Sequence, residues 1–367
     1  MGLLDHYKQF EEMDPAEVSA QLKSEADERR RKALSKVDKL DLSATTWPGY
    51  PPSSVVGAIT FTAQRGLHRY MAPAGELRAE IAHRHGLAAE RIVIGDGASQ
   101  LLVSATQTLV EPGDELITPW PSYQLYPVMA REAGGEVVTV ANHSVEAILA
   151  AVTKKTRVVA LCNPNDPSGE LIGVNELSAL LEALPERVAV VLDEALRDFI
   201  SAEPLDATIG LCQRHPRLLI FRSFSKAWGL AGLRCGYAIG GPGSETLLSS
   251  IGPPLGISEL TQAGILEALR NISGVVDART AAVAEQRLRL RNELAALPLE
   301  LGPPSEANLL WLAAESIDGA ELAGRLAKAG VIVRAGATLG DPQRIRVAIQ
   351  DEPASDRLIR ALTAALL

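Results

Sequence analysis

The stretch Ser223–Gly240, SFSKAWGLAGLRCGYAIG, decides how the rest of the chain is read. Arg217–Phe224, RLLIFRSF, reads as a buried strand entering it, and Arg234–Gly240, RCGYAIG, reads as a second strand leaving it. Lys226 therefore lies on a connection between two core strands, with Arg234 eight positions on. A lone lysine is by default a solvated one, because an ammonium is almost never fully buried unless paired. Between two core strands that expectation reverses. An amine held in a partly desolvated pocket loses proton affinity and can form a Schiff base with a carbonyl.

Working outward, the 367 residues exceed one small core and allow two to three domains. Hydrophobic residues at 47% and charged residues at 22% describe a globular chain and exclude a disordered one. A net charge of −9, with arginines spread along the sequence, argues against a nucleic-acid surface. Cys162, Cys212 and Cys235 each sit alone in apolar runs without metal-ligand spacing. They predict reduced, buried thiols in a cytoplasmic protein and no metal site. The first residues, MGLLDHYKQFEEMDPAE, show no secretory pattern, and no apolar run reaches the roughly 18 residues of a membrane helix.

Asp14–Pro15 opens a charged helix over 14–38, whose run DERRRK (27–32) reads as a solvated face. LDLSATTWPGYPPSS (40–54) reads as an irregular loop able to roof a pocket or meet a partner. From about residue 54 strands alternate with helices, among them RIVIG, DELITP, GEVVTV, TRVVALCNP and RVAVVLDEA. That order predicts an α/β fold with a mostly parallel sheet sandwiched by helices. In such folds ligands bind beyond the carboxyl ends of the strands, where GDGAS (95–99), CNPNDPSG (162–169) and DEA (193–195) fall. GPPLGI (252–257) breaks the alternation. We read 1–53 as an N-terminal helix and arm and 54–252 as the large domain. Residues 253–295 read as linking helices and 296–367 as a smaller α+β domain.

GDGAS, between a strand and a helix, offers backbone N–H groups to a phosphate. Asp193 ends an apolar strand, where a carboxylate must be paired or stand at the tip. Each is a weak signal alone. Together with SFSKAWGLAGLRCGY they resemble the fold-type I pyridoxal phosphate-dependent aminotransferases, and more closely their histidinol-phosphate aminotransferase-like branch, over nearly the whole chain from about residue 40.

The resemblance implies pyridoxal 5′-phosphate as cofactor. It makes Lys226 the Schiff-base lysine and proton carrier, and Asp193 the partner of the pyridine nitrogen, keeping the ring an electron sink. Ser223, Ser225 and Arg234, with the N–H groups of Ala98 and Ser99, become phosphate ligands. Tyr123 becomes the aromatic that stacks on the ring. Tyr70 becomes the residue that reaches the neighbouring subunit's phosphate, which implies a homodimer with shared active sites. Arg346, in RIRVAI, becomes the bidentate grip on a substrate α-carboxylate. Arg334 lies near a family position that can meet a substrate side-chain anion, and Asn308 matches a recurrent family asparagine with a structural or pocket-wall role.

Two departures bear on chemistry. Asp166 stands where the family has an asparagine donating to the cofactor's phenolic oxygen, and Leu196 stands where it has a tyrosine donating to the same atom. Losing both donors favours protonation of the Schiff-base nitrogen. The arm ATTWPGYPP (44–52) also departs from the family's Asn-Glu-Asn-Pro segment, so its substrate contacts do not carry over. The implied function is amino-group transfer between an amino acid, or an amino-alcohol phosphate, and a 2-oxo acid by a ping-pong cycle. A decarboxylase, lyase or cyclase of the same fold stays open. A non-enzymatic regulator is disfavoured by the presence of Lys226, Asp193 and Arg234 together.

Overall fold

The computed structural model describes residues 14–34, 39–68, 70, 73–141 and 143–367. Residues 1–13 and 35–38 and the side chains of the run 27–32 lie outside the described residues. The first helix runs over Pro15–Leu34.

In chain order the strands are β1 (Leu40–Asp41), β2 (Ile92–Gly95), β3 (Glu115–Pro119), β4 (Glu136–Val140), β5 (Thr156–Cys162), β6 (Ala189–Asp193) and β7 (Leu218–Ser223). There follow β8 (Gly236–Gly240), β9 (Leu299–Leu301), β10 (Leu309–Ala314), β11 (Val331–Ile332), β12 (Arg334–Ala335) and β13 (Arg344–Ala348). The large sheet has the order β2-β8-β7-β6-β5-β3-β4. Its pairs from β7 through β6, β5 and β3 to β4 are parallel, as the alternation predicts. β8 runs antiparallel to both β7 and β2. Hydrophobic periodicity does not encode strand direction. Here the short Lys226 connection, Phe224–Cys235, returns directly to the neighbouring position in the sheet.

Alternation along the central strands feeds two helical layers. Val159, Leu161, Val190, Leu192, Leu218 and Ile220 enter one core, and Val158, Ala160, Val191, Leu219 and Phe221 enter the other. Each such buried aliphatic contributes roughly 1.5–3 kcal/mol relative to exposure. This continuous burial of both faces is what a parallel sheet requires.

The smaller lobe is a four-stranded antiparallel sheet, β12-β13-β10-β9, against which the helix Gly319–Lys328 packs; the helix Glu352–Leu366 packs in turn on that helix and on Ser273–Leu294. The long helix Ser273–Leu294 leads into it. The expected loop over 40–54 is partly ordered: β1 pairs in parallel with β11, tying the N-terminal arm to this lobe. No described helix is long and apolar enough to cross a membrane. No group of metal-ligating side chains occurs among the described residues.

Candidate active site

The carboxyl ends of β5, β6 and β7 bring Cys162, Asp193 and Ser223 into one row, since Cys162 pairs with Asp193 and Asp193 with Phe221 across the sheet. Above that row lies a cavity of about 250 Å³. Lys226, Asp193, Asp166, Tyr123, Ala98, Ser99, Ser223, Ser225 and Arg234 all line it, together with Thr46 and Leu196.

The period of two explains why Asp193 faces the cavity while its neighbour does not. Glu194 turns to the opposite face, fully buried, and meets Arg222 at 2.9 Å, itself one residue before Ser223. Arg222 also holds Asp206 at 2.7 Å, and His85 holds Asp206 at 2.9 Å. Breaking one partner of a buried pair leaves an uncompensated charge, so this network fixes the ends of β6 and β7 beneath the cavity.

Asp193 is buried, and burial raises its carboxyl to about 6 despite bonds from the Ala195 N–H at 3.0 Å and the Tyr126 hydroxyl at 3.1 Å. Tyr126 is a site residue that the sequence did not single out. Its spacing of three from Tyr123 on a helical turn places both rings on one side, 5.5 Å apart and edge to face. The Tyr123 hydroxyl lies 3.1 Å from the Ser99 hydroxyl.

Lys226 has its proton affinity lowered, first by burial, with Asp166 opposing and Arg346 adding to the effect. Its ammonium donates to the Thr45 hydroxyl at 2.6 Å. Thr45 belongs to the N-terminal arm, 181 residues away in sequence, and no local pattern announces the contact. Asn308 donates to the Thr45 carbonyl at 3.0 Å. It therefore stands behind the arm and holds it.

A cluster of backbone N–H groups, hydroxyls and the Arg234 guanidinium forms where the helix Ala98–Leu109 begins. Gly97 has φ 81°, and a Cβ there would strike the Arg234 guanidinium. The positive φ is what calls for glycine here, since the guanidinium tip can shift. Arg234, itself at φ 48°, donates to the Ser225 hydroxyl at 3.4 Å and the Ala231 carbonyl at 3.2 Å. The first N–H groups of the helix have no intrahelical acceptor and carry its positive end.

The loop carrying Asp166 is held from within. Asn163 exchanges two bonds of 2.8 Å with Ile172. Asn165 receives the Ser122 hydroxyl at 2.7 Å and donates to Ser168 at 2.8 Å. With both neighbouring asparagines turned into the loop, Asp166 projects outward and meets Arg346 at 2.6 Å. Arg346 also donates to the Ser43 carbonyl at 2.7 Å, and its Nε is buried without a hydrogen-bond partner. Arg346 thus joins the site through Asp166.

Arg334 pairs with Arg346 across β12 and β13 but is exposed. Tyr70 is 96% exposed and lies outside this cavity, beside Leu67 and Leu260. Leu196 is buried and presents hydrocarbon to the cavity.

Comparison with known proteins gives a consistent result. Residues 37–362 match the family described as aminotransferase class I and II. An aromatic amino acid aminotransferase of Corynebacterium efficiens is 37% identical over 334 residues, covering 89% of this chain and 93% of the relative. One from Nocardia farcinica is 36% identical, covering 88% and 90%. The crystal structure of histidinol-phosphate aminotransferase from Sinorhizobium meliloti in complex with pyridoxal-5′-phosphate superposes with a TM-score of 0.79 at 27% identity, covering 92% of this chain and 94% of that one. A double mutant of Thermus thermophilus aspartate aminotransferase gives 0.78 at 25% identity, covering 97% and 99%.

Proposed function

Since the chain belongs to the class I and II aminotransferases and is a pyridoxal phosphate-dependent aminotransferase, we propose that its amino donor is an aromatic amino acid and its acceptor a 2-oxo acid. The relatives named for aromatic amino acids support the donor class. The observation that carries the catalytic reading is the convergence of Lys226, Asp193 and the Ser99, Ser225 and Arg234 cradle on one cavity.

The residues present fit the cofactor. A cradle of hydroxyls, a guanidinium and helix N–H groups suits a phosphate dianion. A buried carboxyl at the opposite wall suits a ring N–H. Pyridoxal phosphate, when bound, supplies an electron sink for negative charge developing at the substrate α-carbon.

In this reading Ser99, Ser225, Arg234 and the Ala98 N–H bind the phosphate, joined by Ser223. Tyr123 offers an aromatic face, and Tyr126 holds the Asp193 carboxyl in place. Lys226 takes up and returns a proton at Nζ. Its lowered proton affinity suits that work, because transfer is most efficient when the group's pKa lies near the operating pH. Thr45 holds Nζ by its hydroxyl, and Leu196 keeps water from that side of the cavity. Arg346 orients the substrate carboxylate, and Arg334 stands near its side chain. Asn308 acts through the arm.

Tyr70 serves the cavity of a second copy, making the active form a homodimer, and the enzyme works in the cytoplasm. The exposure of Tyr70 and its place outside its own chain's cavity support the homodimer.

The test is a single half-reaction with phenylalanine on the holoenzyme. The expected result is loss of the visible cofactor band with one equivalent of 2-oxo acid released per site, absent in Lys226→Ala. Release of carbon dioxide instead would overturn the transfer reading.

A further inference from the structure

We propose that Asp166 is a specificity-determining residue: it neutralises Arg346 as an internal carboxylate, so that a substrate carboxylate meets a compensated cation beside a like charge, and the site's preference for a carboxylate over an uncharged group is correspondingly weak. The inference rests on the reading of Arg346 as the carboxylate-binding residue and refines it.

Three observations carry it. The Asp166 carboxylate meets the Arg346 Nη1 at 2.6 Å, with both side chains nearly buried, 13% and 12% exposed. The other terminal nitrogen, Nη2, is bound to the Ser43 carbonyl at 2.7 Å, and Nε is buried away from any partner. The guanidinium's two terminal nitrogens are thus already engaged by oxygens of this chain.

The third observation is rigidity. Asp166 is delivered by a loop whose two asparagines, Asn163 and Asn165, are spent on internal bonds. Ser43 lies on the arm that β1 fixes to β11 and that Asn308 holds at Thr45. Neither partner of Arg346 is a free side chain on a mobile stem. An incoming carboxylate meets a guanidinium whose charge Asp166 already neutralises, and it arrives beside a like charge. An uncharged amide or hydroxyl at the same place suffers no such repulsion. Selectivity is a difference between the two, and a carboxylate built into the wall lowers it.

Asparagine at 166 keeps the shape and removes the charge, leaving Arg346 a cation in want of an anion. The test is a double-mutant cycle on the reconstituted holoenzyme, using 3-phenylpropanoate and 3-phenylpropanamide as probes and calorimetric binding as the readout. The ratio of acid to amide affinity cancels general damage to the cavity. Asp166→Asn is expected to raise that ratio at least tenfold over wild type. Adding Arg346→Gln to Asp166→Asn is expected to abolish the gain. Asp166→Ser gives the same answer should the asparagine variant fold poorly.

An unchanged ratio in Asp166→Asn, with Arg346→Gln lowering it in both backgrounds, overturns the proposal and leaves the reading of Arg346 standing. A gain that survives Arg346→Gln overturns both, because the carboxylate would then be held elsewhere.

Discussion

The site has two arginines, Arg234 lining the cavity and Arg346 joined to it through Asp166, and the chain treats the two differently. Arg234 faces a hydroxyl and a carbonyl and is given no carboxylate partner among the described residues. Arg346 is clasped by Asp166 and the Ser43 carbonyl. One arginine is left open for an anion. The other is closed on its own charge. An uncompensated cation favours whatever anion arrives, whereas a compensated one holds an anion more weakly and prefers it less over an uncharged group. Tight, permanent retention belongs to the first arrangement and turnover to the second.

The largest test of this contrast is Arg234→Ala. Removing the open cation is expected to weaken cofactor binding by about 10- to 100-fold, following the about 1.5–3 kcal/mol of a hydrogen bond to a charged group, since Arg234 is exposed in this chain. Reconstitution titrations of the cofactor-free protein measure it. The same variant is expected to unfold no more easily than wild type without cofactor, because no internal ion pair is lost. Unchanged cofactor affinity would break the comparison at its stronger end.

Asp193 lines the same cavity as Arg234, and its test is a pH dependence. Burial raises its carboxyl from 3.8 to about 6. The neutral form is therefore the better tolerated in the folded chain. Stability from this group is complete below its unfolded value and declines as pH rises through about 6. In the cofactor-free protein Asp193→Asn escapes that decline. Its advantage in unfolding free energy should grow from near zero at pH about 4 to on the order of 3 kcal/mol above pH about 7, because a tenfold difference in proton affinity between the folded and unfolded chain is worth about 1.4 kcal/mol. Denaturant unfolding across that range decides it, and a gap independent of pH refutes it.

The smallest effect is expected near the closed arginine. Asn308→Ala removes the bond to the Thr45 carbonyl and is expected to cost about 1–3 kcal/mol of stability, the desolvation of a buried acceptor left unpaired. Cofactor affinity should stay within a few-fold of wild type. A loss comparable to that of Arg234→Ala would show that the two regions act as one unit, and the contrast would fail.

Legibility followed sequence distance. Lys226, Ser225 and Arg234 share one short segment, so their pattern survives reading in one dimension. The strand alternation that places Asp193 at a β6 tip is equally local. The direction of β8 was not legible, because a buried strand reads the same in either sense. Arg346 and Asp166 are 180 residues apart, Lys226 and Thr45 181. Ser43 meets Arg346, and Thr45 meets Asn308, through main-chain carbonyls, which no residue type advertises. Tyr126 had a signal in its spacing from Tyr123, but an apolar helical face accounts for a tyrosine equally well. Asp166 was visible as a departure, and only the structure gives its charge a destination.

The connection between β7 and β8 has one more consequence. Ser223 and Gly236 are paired across the sheet, so the segment bearing Lys226 and Arg234 is clamped at both feet by backbone hydrogen bonds. The amine and the guanidinium are mounted on one short span and cannot drift apart independently. That span works as a caliper. With Lys226 and Arg234 in the roles proposed for them, it measures the reach from a reactive carbonyl to a phosphate, and a carbonyl compound of the wrong length, however well charged, is expected not to touch both jaws at once.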